Sequence, residues 1–331
     1  MDRVAILTLP SVNRVYGRDA ARLALAELQL VSPSLQADIG EPRIEVIGGV
    51  EYIVCDLVEL NEHDRFILSN LSGTYALFAL SDQSLVPLQV ERLEHFQSDL
   101  ITIQRYAGKT NEQFTHLLVN VAVAASMAAQ ERATQGLPVR LFDPLAGRGT
   151  TLNRGLMYGF DVTGVDLDAA DFEAYRNFLT TYLKDNRISH KLEEAKVRKG
   201  ARAGSRRFTL RIGKAQHVEM VKDDTAYATE YFGARSFDVL VADLPYGVQH
   251  GSTTGGELAR SPVELLYSAL PGWRQLLRGG AGVALSWNTR TVPRDELERQ
   301  LQHAGFSVID ASGLDHKVDR SVTRGVIIAT G

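Results

Sequence analysis

Residues 140–168 read RLFDPLAGRGTTLNRGLMYGFDVTGVDLD, and residues 239–247 read VLVADLPYG. The first stretch follows an apolar run, Val139 to Phe142, with Asp143-Pro144, the glycine pair Gly147 and Gly149, and a weakly helical segment from Thr150 to Tyr158. This order predicts a strand, a tight turn and a helix. A glycine-rich turn at the carboxyl end of a parallel strand lets a ligand approach the backbone and aims the amides of the next helix at it. A second strand, Asp161 to Val165, then delivers Asp166, 17 residues beyond Gly149. An acid about 20 residues past such a turn is placed to accept hydrogen bonds from ribose hydroxyls. A dinucleotide fingerprint would continue to a third glycine, but Thr150-Thr151-Leu152 follow Gly149, which disfavours a pyrophosphate site.

On these residues, FDPLAGRGT resembles the first motif of class I S-adenosylmethionine methyltransferases, in particular the amino-methylating branch that writes it DPFxGxGT. The resemblance implies a Rossmann-like α/β fold with a seven-stranded sheet. It also implies S-adenosylmethionine as cofactor, held by Asp143, Pro144, Gly147, Gly149, Thr150 and Asp166. The stretch SFDVLVADLPYG reads as a buried parallel strand ending in Asp243-Leu244-Pro245-Tyr246 and resembles the (Asp/Asn/Ser)-Pro-Pro-(Tyr/Phe) motif of enzymes that methylate planar amines and amides.

The chemistry accounts for those residue types. An aromatic amine's lone pair is delocalised into its ring and must be drawn out of plane before it can attack a methyl group. Asp243 and the backbone carbonyl of Leu244 can each take one of the amine hydrogens, while Tyr246 stacks on the base. Leu244 in place of the first proline keeps the carbonyl and loses the fixed φ that presents it, so packing must set the geometry. At Gly213-Lys214-Ala215 the superfamily usually writes an acid that contacts the adenine end of the cofactor. Lys214 departs from that pattern and leaves Gln216 or another group to serve.

Outside these motifs, RYAGKTNEQFTHLLVNVAVAAS predicts a long helix from near Asn111, with Thr110 or Asn111 as its cap. The segment resembles the linker into the catalytic domain of THUMP-associated tRNA guanine-N2 methyltransferases, where a lysine-threonine-asparagine run precedes such a helix. Ahead of it, residues 1–105 are expected to form a small α+β domain, with strands at 3–9, 43–47, 50–58, 65–69 and 74–80 and a helix over 17–31. Residues 106–331 are what the resemblance implies as the methyltransferase domain. There a helix over 170–184 can run on into the basic stretch, FTLRIG is read as the third strand, Pro262 opens a helix, AGVALSWN is the fifth strand, a helix spans 294–304, and FSVIDA and GVIIAT close the sheet.

With 331 residues and 44% hydrophobic content the chain can bury a large core. No stretch approaches a membrane-spanning length, and the first residues lack the pattern of a signal peptide, so a cytoplasmic location is expected. Cys55 is the only cysteine and the eight histidines show no ligand spacing, so no metal is expected.

Net charge is −4 but uneven: residues 1–105 hold 8 Arg and no Lys against 15 acids, whereas 184–214 holds 11 Lys plus Arg against 3. A polyanion would choose the second region, which makes Arg198, Lys199, Arg202 and Arg206 expected substrate contacts, with Lys317, Arg320 and Arg324 of the loop before the last strand beside them. A solvated charged face is the competing reading.

The cofactor motif precedes the catalytic motif, which excludes the permuted DNA methylases. The resemblance thus points first to RNA, and to guanine N2 of tRNA within it. DNA adenine methylation, protein glutamine methylation and a non-catalytic RNA-binding relative stay open.

Overall fold

The computed structural model describes residues 2–10, 14–82, 84–106, 108–196, 204–213, 216–245, 262–318 and 322–331. The amino-terminal part runs β1 (Asp2–Thr8), α1 (Arg14–Val31), β2 (Arg43–Ile47), β3 (Val50–Leu57), α2 (Glu62–Ser69), β4 (Thr74–Leu80) and β5 (Leu85–Leu88). Its antiparallel sheet has the order β2-β3-β1-β4-β5, and its first four strands with two helices follow the ferredoxin-like β-α-β-β-α-β plan. Alternation along β1 and β3 puts Val4, Ile6, Ile53, Cys55 and Leu57 on one face, against Ala24 and Leu28 of α1.

The strand expected at 65–69 is instead the helix α2. Asn61 caps it by accepting the amide of Asp64 (2.8 Å). A short apolar run such as Phe66-Ile67-Leu68 fits a buried strand or a buried helix equally well by periodicity, and here the cap decides. Buried Asp64 also accepts the amides of Gln36 and Ala37, both at 2.8 Å, and so ties α2 to the chain after α1.

The rest of the chain runs α3 (Asp99–Thr102), α4 (Glu112–Ala124), α5 (Met127–Thr134), β6 (Arg140–Asp143), α6 (Thr150–Met157), β7 (Asp161–Asp166), α7 (Ala169–Asp185), β8 (His190–Lys196), β9 (Arg206–Ile212), β10 (Gln216–Lys222), β11 (Phe237–Asp243), α8 (Pro262–Leu276), β12 (Leu277–Asn288), α9 (Arg294–His303), β13 (Ser307–Ile309), β14 (His316–Lys317) and β15 (Thr323–Thr330). The large sheet has the order β13-β15-β12-β11-β6-β7-β10-β9-β8. The five strands β12, β11, β6, β7 and β10 are parallel, and β15 inserts antiparallel between β12 and β13. This is a Rossmann-like α/β sheet, as the sequence resemblance implies, with the β8–β9 hairpin beyond β10. Chain order reverses between β6 and β11, so their carboxyl ends flank the crevice where open α/β sheets bind ligands.

Two expectations change here. FTLRIG belongs to β9, an antiparallel hairpin strand, and the third parallel strand is β10, VEMV with its flanks. The helix after Asp166 stops at Asp185 and does not extend into the basic stretch. Asn186 closes it and Arg187 takes a left-handed φ of 55°, after which the chain turns into β8.

The two sheets share α1. While Ala24 and Leu28 face the small sheet, Tyr16, Leu23 and Ala26 pack with Phe114 and Leu117 of α4 in the larger core. A buried polar seam reinforces that contact: Glu27 of α1 accepts the Ser72 amide (2.9 Å) and the Asn120 side-chain amide (2.6 Å), and Asn120 in turn accepts the Tyr158 hydroxyl (2.6 Å). Burial holds the Glu27 carboxyl above its ordinary pKa and the His116 imidazole, bonded to Tyr158, well below its own. Among the described residues no helix is long and apolar enough to cross a membrane.

Candidate active site

The glycine turn after β6 follows its backbone demands. Gly147 and Gly149 take φ of 50° and 79°, a region that favours glycine, and a Cβ on Gly149 would stand 2.2 Å from the Tyr175 ring. No side chain caps the amino end of α6, so its first amides point at the turn. Asp166 ends β7 and holds this turn in place: its Oδ2 accepts the Gly147 amide (2.7 Å) and its Oδ1 the Asp168 amide (2.8 Å). A carboxylate offers about four acceptor sites, so two remain for a ligand's hydroxyls. Burial raises Asp166 to about 6.

One strand over, Asp143 is 2% exposed and accepts the Leu145 amide (3.0 Å). Burial raises its carboxyl to about 7, and the charges of Asp166 and Asp243 add to the rise. Pro144 is buried beneath the turn. A cleft of about 340 Å³ opens over these groups, lined by Asp143, Gly147, Thr150, Asp243, Leu244 and Pro245. The sequence motifs therefore meet at one place.

Asp243 ends β11, where three side chains from separate elements converge on it. The Thr110 hydroxyl donates to Oδ2 (2.6 Å), the Ser286 hydroxyl donates to Oδ1, and Arg324 of β15 pairs with Oδ2 (3.4 Å). Leu244 is 1% exposed within the core and its amide donates to the Ser286 carbonyl (2.8 Å). Packing and this backbone bond supply the constraint that the absent proline would have given. Tyr246 lies outside the described residues.

Thr110 belongs to a strap, residues 104–106 and 108–111, that borders the cleft. The Tyr106 hydroxyl bonds Thr150 (3.0 Å), and Arg148, held by Asp171 (2.8 Å), lies 4.8 Å over the Tyr106 ring. Lys109 pins the strap by donating to the carbonyls of Ile101 (2.7 Å) and Gln104 (2.8 Å) and to Glu112 (2.6 Å). Asn111 is the cap of α4, accepting the amides of Gln113 and Phe114, which frees Thr110 for Asp243.

Beyond the strap lies a second cleft of about 530 Å³ that shares Tyr106 and Thr110 with the first. Tyr16 of α1 and buried His316 wall it, their rings edge to face at 5.6 Å, and exposed Arg105 and Lys317 also line it. Burial, with the Arg324 charge next, pushes His316 down to about 4.

The expected basic contacts divide. Lys317 and Arg324 border this second cleft, but Arg324 is 5% exposed and serves Asp243. Arg206 sits on β9, paired with Glu173 and Glu194 and 5.3 Å from the Phe172 ring, and lines neither cleft. Arg198, Lys199, Arg202 and Arg320 lie outside the described residues.

The same holds for Lys214, whose described neighbours lie far from the clefts. Gly213 and Gln216 flank the amino end of β10, away from the clefts, and the Gln216 side chain bonds the Leu156 carbonyl (2.9 Å). The acids at the carboxyl end of the third parallel strand are Asp223 and Asp224. The Asp223 amide donates to the Asp166 carbonyl (3.0 Å), which brings it to the same sheet edge as Asp143, Asp166 and Asp243. Reading FTLRIG as the third strand concealed them, though they directly follow the apolar run VEMVK.

No protein-family model matches the chain, and no curated protein matches it. Solved structures with a similar arrangement include 1,6-didemethyltoxoflavin-N1-methyltransferase of Burkholderia thailandensis, bound to its substrate and S-adenosylhomocysteine (19% identity, 61% of this chain and 75% of that one, TM-score 0.35). A TehB-like SAM-dependent methyltransferase from Corynebacterium glutamicum matches at 16% identity over 61% and 85% of the two chains, with a TM-score of 0.36. The ribosomal protein L11 methylase of Lactobacillus delbrueckii subsp. bulgaricus matches at 15% identity over 64% and 79%, also with a TM-score of 0.36.

Proposed function

We propose that this chain is an S-adenosylmethionine-dependent methyltransferase acting on the exocyclic amino nitrogen of a nucleobase, with guanine N2 in cytoplasmic tRNA as the leading acceptor. The observation that carries the reading is the meeting of the glycine turn, held by Asp166 behind it, with Asp243-Leu244-Pro245 around one cleft. The residues present fit the cofactor: uncapped amides at α6 suit its carboxylate, the open acceptor sites of Asp166 suit its ribose, and Asp223 and Asp224 offer carboxylates at the same sheet edge for its adenine end. Bound there, the cofactor supplies an electrophilic methyl on a sulfonium. The chain's part is to orient the amine. Asp243 and the Leu244 carbonyl would each draw one N–H hydrogen, which would turn the amine's lone pair toward the transferable methyl, and Asp243 would take the proton that the nitrogen sheds on methylation.

The second cleft, across Thr110 from the first, is the acceptor side in this reading. Arg105 and Lys317 supply positive charge for a phosphate backbone there, in place of Arg206, which is paired with acids.

Calorimetry tests the cofactor half. The parent protein should bind S-adenosylmethionine, and Asp166→Ala should weaken that binding at least tenfold, because it removes the ribose acceptor and the group that holds the Gly147 turn. Equal affinities would reject the assignment.

A further inference from the structure

We infer that Arg324 is a positioning residue, which together with Thr110 and Ser286 holds the Asp243 carboxylate in one orientation facing the methyl-transfer position. The inference rests on the methyltransferase reading above and assigns within it a role to a residue whose charge would otherwise be credited to substrate.

The geometry is built from four elements. Asp243 and Ser286 are register partners across β11 and β12, and Arg324 is the register partner of Asn288 on the next strand, so all three reach the same sheet edge. The guanidinium lies 4.5 Å over the ring of Phe114, which is fully buried, and its Nη2 meets Asp243 Oδ2 at 3.4 Å. Thr110, one residue ahead of the α4 cap, donates to that same oxygen. A guanidinium cannot shed its proton, and one that is 5% exposed needs an anionic partner.

Three carboxyl groups crowd this edge, and burial lifts Asp143 to about 7 and Asp166 to about 6. The ion pair falls on Asp243, the member that must present a charged acceptor to an amine. Aspartate here comes with Arg324.

A cofactor analogue tests this without any acceptor. Sinefungin carries an amino group where S-adenosylmethionine carries its transferable methyl, so its ammonium probes the carboxylate directly, and S-adenosylhomocysteine, which lacks that group, is the reference. The parent should bind sinefungin about tenfold more tightly than S-adenosylhomocysteine, as expected for one added charge-assisted hydrogen bond, and Asp243→Asn should abolish the difference. If Arg324 positions Asp243, Arg324→Gln and the milder Thr110→Val should lower the ratio toward the Asp243→Asn level. Arg324→Lys should keep most of it, and Arg324→Gln should cause no further loss in the Asp243→Asn background.

Simple electrostatics predicts the opposite sign. Removing a nearby cation without moving the carboxylate should raise the affinity for an ammonium. A ratio in Arg324→Gln and Thr110→Val at or above the parent's therefore overturns the inference. A parent that binds neither ligand rejects the cofactor reading, and the inference with it. A parent that binds both without preference rejects the inference alone.

Discussion

Asp243→Ala should slow methyl transfer by two orders of magnitude or more, while leaving affinity for S-adenosylmethionine within a fewfold of the parent. The carboxylate stands at the end of β11, where it can act on the amine in the transition state, and losing one such group costs about 3 kcal/mol of barrier. The variant also removes the partner of Arg324, leaving a buried guanidinium without this carboxylate, so its unfolding transition should be checked alongside turnover. Asp243→Asn is the milder comparison, because its amide oxygen still accepts one hydrogen. Near-parental turnover in a folded Asp243→Ala protein would reduce the motif to a structural turn.

A second large effect concerns Asp143. Its carboxyl is raised by burial to about 7 in the folded chain, so the folded state binds this proton more tightly than the unfolded chain does. The stability gained is complete below the unfolded value of about 4 and disappears as pH rises through 7. For this group alone the loss between pH 5 and pH 8 is on the order of 2–3 kcal/mol. Buried histidines such as His316, pushed down to about 4, act in the opposite direction near pH 5, so the total slope is a mixture. Comparison with Asp143→Asn isolates the term. Urea unfolding of the ligand-free parent should lose that much stability relative to the variant across this range, and parallel pH profiles would contradict the account.

The decisive parts of the site were legible because they are local. A strand, a glycine turn and an acid 17 residues on constrain each other within one βαβ unit, and Asp166 does hold Gly147 directly. Asp243-Leu244-Pro245 was equally readable as a break after the apolar run Val239–Ala242. What escaped were contacts between segments distant in sequence. Thr110 lies 133 residues from Asp243, and nothing in GKTNEQ distinguishes it from a cap until Asn111 is seen to cap α4 by itself. Ser286 and Arg324 depend on sheet register. Arg324 looked like a loop charge because only the pairing of β15 with β12 places it beside the Asp243 carboxylate.

Two readings failed for a different reason. Phe66-Ile67-Leu68 is too short for its period to be decided, and FTLRIG is as strand-like as the run VEMV that follows it, so the antiparallel pairing of β9 with β8 and β10 could not be read locally and Asp223 and Asp224 went unnoticed.

Transfer of tritiated methyl from S-adenosylmethionine, offered separately to unmodified tRNA, to DNA and to bulk protein, tests the central claim most directly when the product is digested and its labelled component identified. The account predicts label in tRNA, recovered as N2-methylguanosine and lost in Asp243→Ala. Label in a protein side chain or on a ring carbon, or no label in any acceptor from a protein that binds the cofactor, would contradict it.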